Sequence, residues 1–151
     1  MVLYLAKRLD GVLKVKLNKL LWYCDFLHFK ETSVSITGSQ YVRLKYGQVP
    51  DNYERIIGTM QPELLDKDEI PFNTRDGIQM GEEFTALVEP DESIFSEKEI
   101  QVMDFVVDTF RNDTSTSIMN KSHQETAYKK CKDGDIISYE YAKELSLSLA
   151  K

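Results

Sequence analysis

The segment from Lys16 to Lys30 constrains the fold more than any other. Leu17, Leu20, Leu21, Cys24 and Leu27 recur at helical spacing on one stripe, and Trp22, Tyr23, Phe26 and Phe29 fill its flanks. A helix apolar on most of its sides cannot rest on a surface, so it must be central and the rest of the chain must pack around it. The 151 residues are enough for that, because a domain of this size buries roughly 70% of the surface its unfolded chain exposes. One domain over 1–151 is expected, α+β in class: a mainly helical body around this buried helix, with a small antiparallel β element.

Other elements follow from local signals. Val2, Leu5, Ala6, Leu9, Val12 and Leu13 predict a first helix that Gly11 interrupts or caps. Ser96-Glu97-Lys98-Glu99 is a capping box, so a helix starts there, with Ile100, Met103, Val106, Val107 and Phe110 as its core stripe. Further helices are predicted from about Ser117 and, capped by Ser138 after the Asp133-Gly134 turn, through Ala142, Leu145 and Leu149. Between them, all four prolines lie between Pro50 and Pro90. Alternation predicts a strand over Tyr41–Tyr46, and Asp51–Met60 reads as a short helix. Phe72, Ile78–Met80 and Phe84–Val88, with turns at Asp76-Gly77 and at Gly81, predict an antiparallel wing.

Charge is distributed unevenly. Residues 1–60 carry nine Lys/Arg against five Asp/Glu, a balance of +4, whereas residues 61–113 carry four against fifteen, a balance of −11. Nucleic acid is disfavoured as a direct ligand, because phosphate binding needs clustered Lys/Arg. The acidic stretch reads either as a solvated face or as a surface that meets a basic partner. No apolar run reaches membrane-spanning length and no basic segment precedes the apolar start, so neither a membrane span nor a secretory signal is expected. Cys24 and Cys131 are therefore expected as free thiols in a reducing cytoplasm.

Three motifs stand in order: Lys19-Leu20-Leu21-Trp22-Tyr23-Cys24-Asp25, then Ile36-Thr37-Gly38 with Tyr41, then Tyr46-Gly47-Gln48-Val49-Pro50. Ser122-His123, followed by the aromatic Tyr128, and Gly134-Asp135-Ile136-Ile137 come later. Together these resemble the SocA-like antitoxin domain, also called the Panacea domain, over nearly the whole chain. Two positions depart from its usual pattern: Gln48 stands where the family has Pro, and Tyr128 where it has Trp. Members usually carry a few more residues ahead of the first helix, so the chain reads as a single such domain that can also be the C-terminal fragment of a longer protein.

The resemblance implies a non-catalytic antitoxin of a bacterial or phage toxin–antitoxin system, neutralising a protein toxin by contact. A homodimer stays open beside that partner. Trp22, Phe26 and Phe29 are expected as core. Tyr41, Arg43, Tyr46 and Tyr53, in the turn-rich segment where recognition residues tend to lie, are the surface candidates, with His123 and Tyr128 beside them. For His123 two roles stay open: a buried imidazole that ties two segments by hydrogen bonds, and a partner contact or pH-sensitive group. Cys24, His28, His123 and Cys131 match the count of a Cys2His2 zinc set but none of its spacings, so neither metal nor cofactor is expected. The alternatives of another class are a hydrolase or nuclease-like enzyme using His123 with a carboxylate, and the regulatory part of a transcriptional repressor. Ser122 and His123, adjacent on a helix, point apart and form no dyad by sequence proximity.

Overall fold

The computed structural model describes residues 1–149, and its architecture is built outward from the expected helix. That helix, α2 (Lys14–Thr32), has every residue from Leu17 to His28 buried. Ahead of it run α1 (Val2–Leu9) and the two-residue strand β1 (Val12–Leu13). The break between them is where the glycine predicted it: Asp10 takes a left-handed conformation, Gly11 follows at φ 105°, and both amides return to the last carbonyls of α1.

Against α2 pack α1, α4 (Glu97–Phe110), α5 (Ser115–His123), the hairpin β2 (Tyr41–Leu44) and β3 (Gly47–Pro50), and a 3-10 helix over Tyr139–Glu144. Trp22 and Phe26 are fully buried, with ring centroids 4.9 Å apart, and Phe26 stacks on Tyr139 at 4.6 Å. Phe29 lies at the margin of this cluster, 5.1 Å from Tyr139. Truncating Trp22 to alanine in such a site costs about 3–5 kcal/mol. Helix α3 (Tyr53–Met60) and the short α6 (Thr126–Lys130) complete the helical part.

The capping box forms as written: Glu99 N–H donates to Ser96 Oγ at 3.1 Å and Ser96 N–H to Glu99 Oε2 at 2.9 Å. Helix α5 starts two residues earlier than expected because Thr114, not a later residue, caps it by accepting from the Ser117 amide. Ser138 also caps as expected, but the segment after it is a single 3-10 stretch.

Two antiparallel three-stranded sheets hold the strands, β3-β2-β6 with β6 at Ile136–Ile137, and β1-β5-β4 with β4 at Leu65–Thr74 and β5 at Gly77–Ala86. Two turn assignments are corrected. The strand expected over Tyr41–Tyr46 ends at Leu44 and turns through Lys45-Tyr46 into β3, since Gly47 alone supplies the φ of 108° there. Gly81 stays inside β5 rather than turning. The Phe72 ring lies over it, so close that an added Cβ would sit 3.0 Å from Phe72 Cε1.

Candidate functional site

The motifs read along the sequence converge in space as two polar pins on α2. In the first, the buried carboxylate of Asp25 accepts from the amides of Ile36 and Thr37, both at 2.8 Å, from Thr37 Oγ1 at 2.5 Å and from Tyr41 Oη at 2.6 Å. A charge this deep is tolerable only when fully hydrogen-bonded, and the Ile-Thr-Gly loop exists to supply the donors. In the second, Lys19, with no exposed surface, donates to the Gln48 carbonyl at 2.9 Å, while Gln48 Nε2 donates to the Ser122 carbonyl at 3.1 Å. Gly47 lies directly on this lysine. Burial alone lowers the Lys19 amine to about 7, since a lone ammonium is expensive away from water.

Above the second pin sits the candidate interaction face. The Arg43 guanidinium covers the Tyr128 ring at 3.9 Å, and Tyr128 stacks on His123 at 4.0 Å with an angle of 12° between the planes. Arg43 is held in that pose. Its Nη1 donates to the Cys131 carbonyl, its Nε lies 3.6 Å from Asp133 Oδ1, and its backbone bonds both Asp135 and Gly134. At the rim, Tyr46 is 54% exposed on the β2–β3 turn, with Lys45 Nζ 5.3 Å from its ring centre. Burial lowers the His123 pKa first, and the charges of Lys19 and Arg43 push it the same way against a smaller opposing effect of the Tyr46 backbone. The imidazole is thus neutral at physiological pH.

Four of the six candidate residues, Arg43, Tyr46, His123 and Tyr128, come together here. Tyr41 does not, and its expected surface role is overturned: it is 1% exposed, its hydroxyl serving the Asp25 carboxylate and lying 2.9 Å from the Leu21 carbonyl. The strand alternation that placed it carried no sign of the carboxylate beneath. Tyr53 lies elsewhere, on α3, half-buried with Lys14 Nζ 5.1 Å from its ring centre, and burial together with the nearby Glu82 raises its pKa. His123 joins two segments through stacking on Tyr128 and finds no hydrogen-bond partner for Nε2 among the described residues.

As an acid–base group His123 has little to work with. The charges that act on it are cationic. The carboxylate nearest in sequence, Glu125, is committed to Ser146, whose amide and hydroxyl donate to it, and lies 3.4 Å from the Tyr23 hydroxyl. Ser122 Oγ donates to the Met119 carbonyl at 2.7 Å and not to the imidazole. Both cysteines are free and buried, burial raising the pKa of each, so neither presents a reactive thiolate. Among the described residues no three His, Cys, Asp or Glu side chains are grouped to hold a metal ion, and no helix is long and apolar enough to cross a membrane. Sequence reasoning missed Lys19 and Asp25. The available signal was a cation and an anion inside a helix otherwise apolar on most sides.

Fold and site together define a helix-centred α+β domain that carries a rigid cation–aromatic stack at its surface. The family described as antitoxin SocA-like, Panacea domain, matches residues 17–129, and the chain belongs to that family. The match takes in both polar pins and the stack. No curated protein and no solved structure gives a match.

Proposed function

We propose that this domain is the non-catalytic antitoxin of a bacterial or phage toxin–antitoxin pair and silences a protein toxin by direct contact in the cytoplasm. Family membership is the observation that carries the reading. The face made by Tyr46, Arg43, Tyr128 and His123 suits the task, because Arg and Tyr are the side chains that most often anchor protein interfaces. A guanidinium already stacked and hydrogen-bonded also has less side-chain freedom to lose when a partner arrives.

The test is co-expression with the toxin encoded beside the gene. Growth is rescued and the two proteins co-purify. Tyr46→Ala, which removes an exposed side chain, lowers affinity by on the order of 2 kcal/mol while leaving folding stability within about 0.5 kcal/mol. Rescue with no detectable complex would reject neutralisation by contact.

A further inference from the structure

The β4–β5 hairpin is built as an arm. Strand β4 pairs along all ten residues with β5 and, among the described residues, with no other strand, so its outer edge is unpaired and, beyond the buried Leu65, lies open from Asp66 to Thr74. The two-residue turn at Arg75-Asp76 and the bond from the Leu87 amide to the Leu64 carbonyl set the alternation of the ladder. Asp66, Asp68, Ile70 and Phe72 bond inward to β5. Lys67, Glu69 and Asn73 therefore turn their amides and carbonyls outward, Leu65 at the base of the strand being fully buried, and Pro71, the residue without an amide, falls in register where an outward one would be.

Side chains on this edge carry a readable pattern. Asp66, Asp68, Ile70 and Phe72 share one face, so the edge reads acidic, acidic, apolar, apolar at every second residue. On the opposite face Glu69 stands directly across from Glu82; Lys67 at 3.8 Å and Lys14 at 4.0 Å both pair with Glu82, while Glu69 has no ion-pair partner among the described residues. A cation opposite Glu69 on the outer side would supply one. A second copy is a poor occupant, because symmetric pairing about Lys67 or Glu69 sets like charges against each other.

We propose that the outer edge of β4 is a docking strand for an extended segment of a basic protein partner, which adds antiparallel to it with Lys or Arg opposite Asp66, Asp68 and Glu69 and apolar side chains opposite Ile70 and Phe72. Backbone bonds to the outward groups supply attachment, and the alternating pattern selects the segment. The surface is distinct from the Arg43–Tyr128–His123 face, and its existence does not depend on the antitoxin reading.

The probe is the peptide Val-Thr-Ile-Lys-Lys-Thr-Lys, blocked at both ends, titrated into the isotope-labelled protein up to millimolar concentration. The amides of Lys67, Glu69 and Asn73 shift and gain protection from exchange, while those of Asp66, Asp68, Ile70 and Phe72 change little. The triple variant D66K/D68K/E69K weakens binding at least about tenfold, since each opposed charge pair is worth up to ~1 kcal/mol. The charge-swapped peptide Val-Thr-Ile-Glu-Glu-Thr-Glu binds that variant better than it binds the parent. Absence of shifts at millimolar peptide, shifts without the alternation, or failure of the charge swap to restore binding would each overturn the proposal. None of these outcomes bears on rescue from a toxin, so the two readings fail separately.

Discussion

Lys19 offers the sharpest test of the packing described above. Its amine is buried beneath Gly47 with the Gln48 carbonyl as its acceptor, and burial alone drops its pKa from 10.5 to about 7. The folded pKa of a base is here lower than the unfolded one, so between those values the unfolded chain holds a proton that the folded chain does not. Stability must therefore rise with pH across that window, by up to about 1.4 kcal/mol per pH unit. Lys19→Met keeps most of the stem and removes the titration. Integrated over the two titration curves, the stability difference between variant and parent falls by about 2.5 kcal/mol from pH 6 to pH 9. At pH 6 the variant is the more stable, by on the order of 3 kcal/mol after about 1 kcal/mol is deducted for the lost bond to the Gln48 carbonyl. Urea unfolding of both proteins at half-unit pH steps measures this directly, and differencing the two curves removes every group they share. His123, whose protonation Lys19 opposes, titrates below the window in the parent, so the interval above pH 7 is the cleanest. A difference constant with pH to within about 0.5 kcal/mol would refute the reasoning, because it would mean that the amine stays charged and solvated in the folded state.

Three further outcomes follow from the same contacts. Asp25→Ala removes the acceptor shared by the Tyr41 hydroxyl and the part-buried amides of Ile36 and Thr37, leaving the hydroxyl only the Leu21 carbonyl, and costs about 2 kcal/mol or more in urea unfolding, whereas the same change at the exposed Asp51 costs less than about 0.5 kcal/mol. Gly47→Ala puts a Cβ 2.5 Å from Lys19 Cε at a φ of 108°, and lowers stability by about 2 kcal/mol or more in thermal unfolding; combining it with Lys19→Ala recovers part of that loss. Removing the charges of Glu82, Glu83, Glu89, Asp91 and Glu92 slows association with a basic toxin and flattens its salt dependence while dissociation stays nearly constant, and an on-rate equal to the parent's at low and high salt, measured by stopped flow, would leave the acidic stretch as a solvated face only.

Whatever rests on short-range signals was legible in the chain itself. The capping box at Ser96 and Glu99, the Gly11 break and the burial of α2 each depend on residues within about a turn of one another, and an apolar helix has one place to go whatever surrounds it. The motif order marked the family for the same reason, as five short strings whose spacing needs no coordinates. Tertiary structure alone decided which of these residues meet. Tyr41 alternates like a surface strand residue, yet its hydroxyl is drawn inward by a carboxylate sixteen positions earlier. Gly81 carries a turn signal, yet it continues a strand because Phe72 from the paired strand needs the space above it. Lys19 looks like any helix cation until Gly47 and Gln48 close over it. Arg43, Tyr128 and His123 become one stack only when β2 is laid beside the segment that follows α5. Each of these outcomes is set by which polar group must find a partner away from water, and that depends on contacts distant in sequence which no local pattern encodes.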